Sequence, residues 1–124
     1  MTQERLTLGR LGERLAREYL QEQGYRMVAE NFRTRLGEID LIAFHGKTLV
    51  FVEVKTRRSV VHGHPFEAVT PRKQGQLCRV AQEYLSREGK HEQLARFDVV
   101  GVTVRPDGTL IELVKNAFEL TTGR

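Results

Sequence analysis

Tryptophan is absent from the sequence, cysteine occurs once and proline three times. A single cysteine can build neither an internal disulfide framework nor a four-cysteine zinc site. No apolar run approaches the roughly 20 residues of a membrane span, so no membrane partner is expected. The N-terminus, Met1-Thr-Gln-Glu-Arg5, carries charge where a secretory signal needs its apolar core, which makes the cytoplasm the expected location. Low-complexity stretches, repeats and linkers are also lacking, so 1–124 reads as one domain. What is present is a globular composition, 40% hydrophobic and 29% charged. Twenty Lys and Arg stand against sixteen Asp and Glu, a net charge of +4. That excess permits a nucleic-acid partner without demanding one.

Periodicity places the elements. Over residues 7–23, Leu8, Leu11, Leu15, Ala16, Tyr19 and Leu20 form one apolar arc of a helix. Arg10, Arg14 and Arg17 lie opposite, Glu13 and Glu18 lie at the edges, and Gly24 suits the position after the helix. Tyr25–Arg33, Glu38–Phe44 and Thr48–Lys55 read as strands, with His45-Gly-Lys47 a short hairpin loop between the last two. Residues 56–66 read as a loop. Thr70-Pro71 opens a second helix that runs to about Arg87, with Gly89 ending it. Phe97–Val104 and Leu110–Val114 are two further strands, joined at the Pro106-Asp-Gly108 turn. The order is α-β-β-β-α-β-β, and an α/β fold with a mixed sheet of about five strands flanked by helices is its natural packing.

The pattern that carries chemistry is Asp40, twelve residues, then Glu53-Val-Lys55. Asp40 stands among Ile39, Leu41, Ile42 and Ala43, where an acid is costly unless it has a partner. The face holding Leu49, Phe51, Glu53 and Lys55 starts apolar and ends charged, which a purely structural strand does not require. Two carboxylates brought together by one hairpin, with a backbone carbonyl such as that of Val54, suit a hard divalent cation, Mg²⁺ or Mn²⁺. Lys55 would orient a water or stabilise charge developing on a phosphate. Hydrolysis of a phosphodiester by a cation-activated water follows from such a set. Glu-x-Lys by itself is common as a surface ion pair.

Gly37-Glu-Ile-Asp-Leu-Ile-Ala43, with Leu49-Val-Phe-Val-Glu-Val-Lys-Thr-Arg-Arg58, resembles the YraN-type family of small bacterial proteins. Gly9–Ala16 matches that family's opening helix and Phe66–Lys73 its central segment. The family is similar to the restriction-endonuclease-like superfamily, whose motif is an acid followed by (Asp/Glu)-x-Lys. The resemblance implies a three-layer nuclease core. By similarity to archaeal Holliday-junction resolvases it also implies that Glu13, on the first helix, completes the acidic cluster. The superfamily's proline before the first acid is replaced here by Ile39.

Arg57, Arg58, Arg72 and Lys73 are the candidate DNA-backbone contacts, within a stretch from 53 to 73 that holds five bases against two acids. No aromatic ladder and no groove-reading helix motif is evident, so recognition of shape or of a junction is expected rather than of sequence. A homodimer would supply two sites for two strands. Glu38 shares a strand face with Asp40 and reads either as an acid supporting the site or, preferably, as a structural partner of Arg33 or Arg35. Cys78 reads as packed, Asp98 as needing an arginine partner, and His62, His64 and Glu67 receive no role. The expected function is therefore a metal-dependent endonuclease on double-stranded or branched DNA. Two other classes fit the same residues: a nucleic-acid-binding module with a nuclease fold and little turnover, and an interaction subunit docking an acidic partner.

Overall fold

The computed structural model describes residues 3–58 and 69–120. Its elements are α1 (Gln3–Glu22), β1 (Tyr25–Thr34), β2 (Gly37–His45), β3 (Thr48–Arg58), α2 (Pro71–Arg87), β4 (Ala95–Arg105) and β5 (Gly108–Phe118). The five strands form one sheet in the order β1-β2-β3-β4-β5. All neighbours are antiparallel except β3 and β4, which run parallel because α2 carries the chain back between them. The expected element order and mixed sheet are thus observed.

Alternation along the strands assigns the two faces. Val50, Val52, Val100 and Val102 pack with Leu41 and Ala43 under Ala16 and Leu20 of α1. Leu49, Phe51, Phe97 and Val99 pack with Ile39 and Ile42 against Leu77, Val80, Ala81 and Tyr84 of α2. The result is helix, sheet, helix. Cys78 is buried in the α2 layer, as its place beside the apolar stripe suggests. Among the described residues no helix is long and apolar enough to cross a membrane.

Gly24 has φ +93°, a backbone conformation open to glycine, and it turns the chain from α1 into β1. Thr70 caps α2, its hydroxyl accepting from the Lys73 amide at 3.2 Å, with Pro71 following. The helix stops before Gly89, as expected.

Some bounds differ from the sequence reading. Thr56, Arg57 and Arg58 are not loop but the end of β3, paired with Val102, Thr103 and Val104 of β4. Nothing local marks them as strand; β4 supplies the hydrogen-bonding edge. α1 begins earlier, at Gln3, and β5 continues to Phe118, whose ring stacks on Phe97 at 4.5 Å. His62, His64 and Glu67 lie outside the described residues.

Asp98 is fully buried and finds the arginine it requires. Its carboxylate accepts from Arg96 Nε (2.9 Å), Tyr25 Oη (2.7 Å) and the Asn116 amide (2.9 Å). Arg96 reaches on to His45 Nδ1 at 3.0 Å. One carboxylate thereby ties β1, β2, β4 and β5 together at one end of the sheet. Burial and the neighbouring Asp98 push the Tyr25 phenol up to about 12, so it donates at any ordinary pH.

Candidate active site

The other end of the sheet holds the acids. The β2–β3 ladder stops at Leu41 and Val52, and the strands part beyond it. Asp40 sits at the start of that gap. Its Oδ2 accepts from the Val54 amide at 2.8 Å, replacing the ladder bond the splay removes. The face rule explains what gathers there. Val54 lies on the α1 side of β3, while Glu53 faces the α2 side, where Lys73 Nζ stands 3.9 Å from its carboxylate.

α1 delivers Glu13 from the other side. A β-carbon on Gly12 would run into the side chain of Thr56, so glycine is what lets the helix lie directly on β3. Glu13 follows at once and is carried to the end of the sheet. Its Oε1 accepts from Asn31 Nδ2 at 3.0 Å, and the same amide donates to Glu38 Oε2 at 2.8 Å. Asn31 has φ +51°, the left-handed region in which asparagine is enriched among non-glycine residues. Glu38 also receives Arg33 at 3.1 Å, one of its two expected partners.

Glu13, Glu38 and Asp40 offer carboxylate oxygens within 4.8 Å of one another, all three side chains half-buried. A divalent cation held by these three acids would draw their oxygens closer together. The donor set is all oxygen and anionic, which fits a hard divalent cation. Burial comes first in pushing the Asp40 carboxyl up to about 8, followed by the charge of Glu53, a hydrogen bond with Glu53 and the charge of Glu13; the Val54 amide opposes them. Without a cation, Asp40 therefore keeps its proton near neutral pH.

The sequence-based site residues divide as follows. Asp40 lies beside Glu13 and beside Glu53, but Glu53 reaches the cluster only through Asp40. Glu38 enters the cluster directly, beyond the structural role expected of it. Val54 contributes its amide to Asp40. Lys55 is half-buried on the Glu53 face and has no hydrogen bond or ion pair among the described residues. Arg58 and Arg72 are exposed, and Lys73 is drawn toward Glu53. Arg57 is less a rim residue than expected: its Nε and Nη2 are buried with no hydrogen-bond partner among the described residues. Asn31 was not foreseen. Its only sequence signal is its residue type, which a surface asparagine shares.

A family model described as "Uncharacterised protein family UPF0102" matches residues 12–102. A UPF0102 protein of Syntrophus aciditrophicus is 51% identical over 124 residues, covering 100% of this chain and 97% of its own length. One from Geobacter sulfurreducens is 52% identical over 114 residues, 91% of this chain and 89% of that protein. One from Symbiobacterium thermophilum is 54% identical over 112 residues, 90% and 95% of the two chains.

Proposed function

The chain belongs to the uncharacterised protein family UPF0102, and from that premise we propose that it is a metal-dependent nuclease acting on double-stranded or branched DNA, with the core of the restriction-endonuclease-like superfamily. One observation carries the reading: a carboxylate cluster, Glu13, Glu38 and Asp40, gathered where β2 and β3 part, with Glu53 against Asp40 and Lys55 beside it. Asp40 and Glu13 would hold Mg²⁺ or Mn²⁺ with Glu38, and Glu53 would join from the α2 side beside Asp40. A cation so held supplies Lewis acidity at a phosphate oxygen. Asn31 fixes the Glu13 and Glu38 carboxylates in place by donating to both. Lys55, unpaired among the described residues, presents its ammonium to the charge that grows on phosphorus oxygens as water attacks and the ester bond breaks. Arg58 and Arg72, both exposed, and Lys73 lie at the end of β3 and in the first turn of α2, the pattern of a backbone grip that reads shape, with Arg57 buried behind them. The reading includes a homodimer with one site for each strand of a junction.

The test is incubation of the purified chain with a four-way junction and a matched linear duplex in Mg²⁺ or Mn²⁺. Cleavage is expected, lowered about a hundredfold or more by Asp40→Asn and by Lys55→Ala. No cleavage of either DNA with either ion would overturn it. The Lys73–Glu53 approach favours a second reading, a DNA-binding module, since a lysine can hold that acid with no metal. In that case binding is salt-sensitive, survives Asp40→Asn and gives no product.

A further inference from the structure

The two edges of the sheet are guarded unequally. β1 carries Arg26, Glu30 and Arg33, shifts register between Met27 and Ala29, and passes through φ +51° at Asn31. Charges and bulges of this kind keep a strand edge from pairing with another chain. β5 from Gly108 to Val114 has one charge, Glu112, and stays in unshifted register with β4. Its outer edge meets no strand among the described residues. Val114 is 40% exposed, and Leu110, Ile111 and Leu113 are half-buried. α1 rests mainly on β3 and α2 on β2, which leaves β5 outboard of both helices. A regular, largely apolar edge so placed is a ready template for another strand.

We propose that the β5 edge binds the β5 edge of a second copy of this chain, antiparallel, about a two-fold axis through Ile111. Such an interface must be complementary to itself, and the charges of β5 meet that demand in one register. With Ile111 on the axis, Thr109 faces the partner's Leu113 and Asp107 faces the partner's Lys115. Asp107 and Lys115 are exposed and have no ion pair among the described residues. The symmetry makes that opposite-charge contact twice. Neighbouring registers fail on charge: an axis through Glu112 sets that carboxylate against itself, and one through Leu110 sets Lys115 against the partner's Arg105. This self-complementarity favours a second copy over an unrelated strand. The assignment deepens the homodimer of the nuclease reading and rests on that reading for the use of two sites. Antiparallel pairing makes one continuous sheet, with β3 and the partner's β3 five strand spacings apart, roughly 24 Å. The two carboxylate clusters then stand at opposite ends of that sheet, each free to meet its own DNA strand.

The experiment is sedimentation equilibrium of the full chain together with oxidative cross-linking of cysteine variants. A dimer is expected. Ile111→Cys should close a disulfide between the two copies, because α-carbons paired across strands fall within the 4.4–6.8 Å that a disulfide spans. Leu113→Cys should not, since in this register it stands roughly 13 Å along the strand from its own copy. The native Cys78 is buried and takes no part. Lys115→Asp should weaken dimerisation about tenfold, and Asp107→Lys in the same chain should restore it, a rescue that no folding defect mimics. A chain that stays monomeric, or Leu113→Cys cross-linking as readily as Ile111→Cys, overturns the proposal. A dimer indifferent to the charge exchange, or weakened without rescue, overturns it too, even if the protein cuts DNA. A dimer with the expected cross-link and rescue that cuts no DNA sustains the interface and sinks the nuclease reading alone.

Discussion

Asp40 departs furthest from its ordinary chemistry, and its environment sets two measurable consequences. Its folded-state carboxyl is raised from 3.8 to about 8, so between those values the folded chain keeps a proton that the unfolded chain has lost. The unfolded state then binds fewer protons, and stability falls as pH rises through that window. Urea denaturation without divalent cation should show this decline, and Asp40→Asn should flatten it. Millimolar Mn²⁺ should restore stability at pH 8, because an ion that binds only the folded state stabilises it. A wild type whose stability rises from pH 5 to 8 would contradict the arrangement. Asn31 offers a test of positioning. Asn31→Gly keeps a residue at ease at φ +51° and deletes the amide shared by Glu13 and Glu38. Mn²⁺ affinity should drop about tenfold, as for other groups that orient ligands, while the melting temperature moves little. An unchanged affinity would mean that Asn31 serves only the backbone conformation at φ +51°.

At the scale of elements, the contact of α1 with β3 decides whether Glu13 reaches the sheet end. Gly12→Ala places a methyl into Thr56, and overpacking of that kind costs about 1–3 kcal/mol. Chemical denaturation should show that loss, and Thr56→Gly in the same chain should recover much of it. Recovery is expected because the two residues touch and their effects should not add. If Gly12→Ala is neutral alone, the helix has room to move off the strand and the placement of Glu13 is not set by this contact. Most elements were legible locally. The arc from Leu8 to Leu20, the alternating Val and Leu of β3 and the Thr70-Pro71 start each state their period or cap in a few residues. Thr56–Arg58 were not, because polar residues become strand only when β4 supplies their hydrogen bonds.

Over the whole molecule, the two ends of the sheet have opposite electrostatic logic. At one end Asp98 is matched: a guanidinium, a phenol and a backbone amide satisfy it, and four strands are held by the result. At the other end one Asn31 amide serves two acids, and the carboxylates bear on one another. Asp98→Ala should therefore cost about 3–5 kcal/mol, the range for stripping a buried charge of its partner. That loss should appear as a large drop in melting temperature with no dependence on Mn²⁺. Asp40→Asn, in contrast, should leave the melting temperature near that of the cation-free wild type at neutral pH while removing the response to Mn²⁺. If both substitutions behave alike, the division between a structural end and a reactive end fails.

The sequence by itself determined the element order, the mixed sheet and the unusual strand that ends in Glu53 and Lys55, because periodicity, caps and the cost of an acid among apolar residues are local facts. It also pointed to Asp40 and Glu13 and to the need of Asp98 for a counter-ion. Tertiary structure alone decided that Glu38 joins the cluster while Glu53 faces the α2 side, and that Asn31 bridges two acids. The physical reason is common to all three. Each depends on where β2 and β3 part and on how closely α1 approaches β3, quantities set by pairing and packing between segments far apart in the chain.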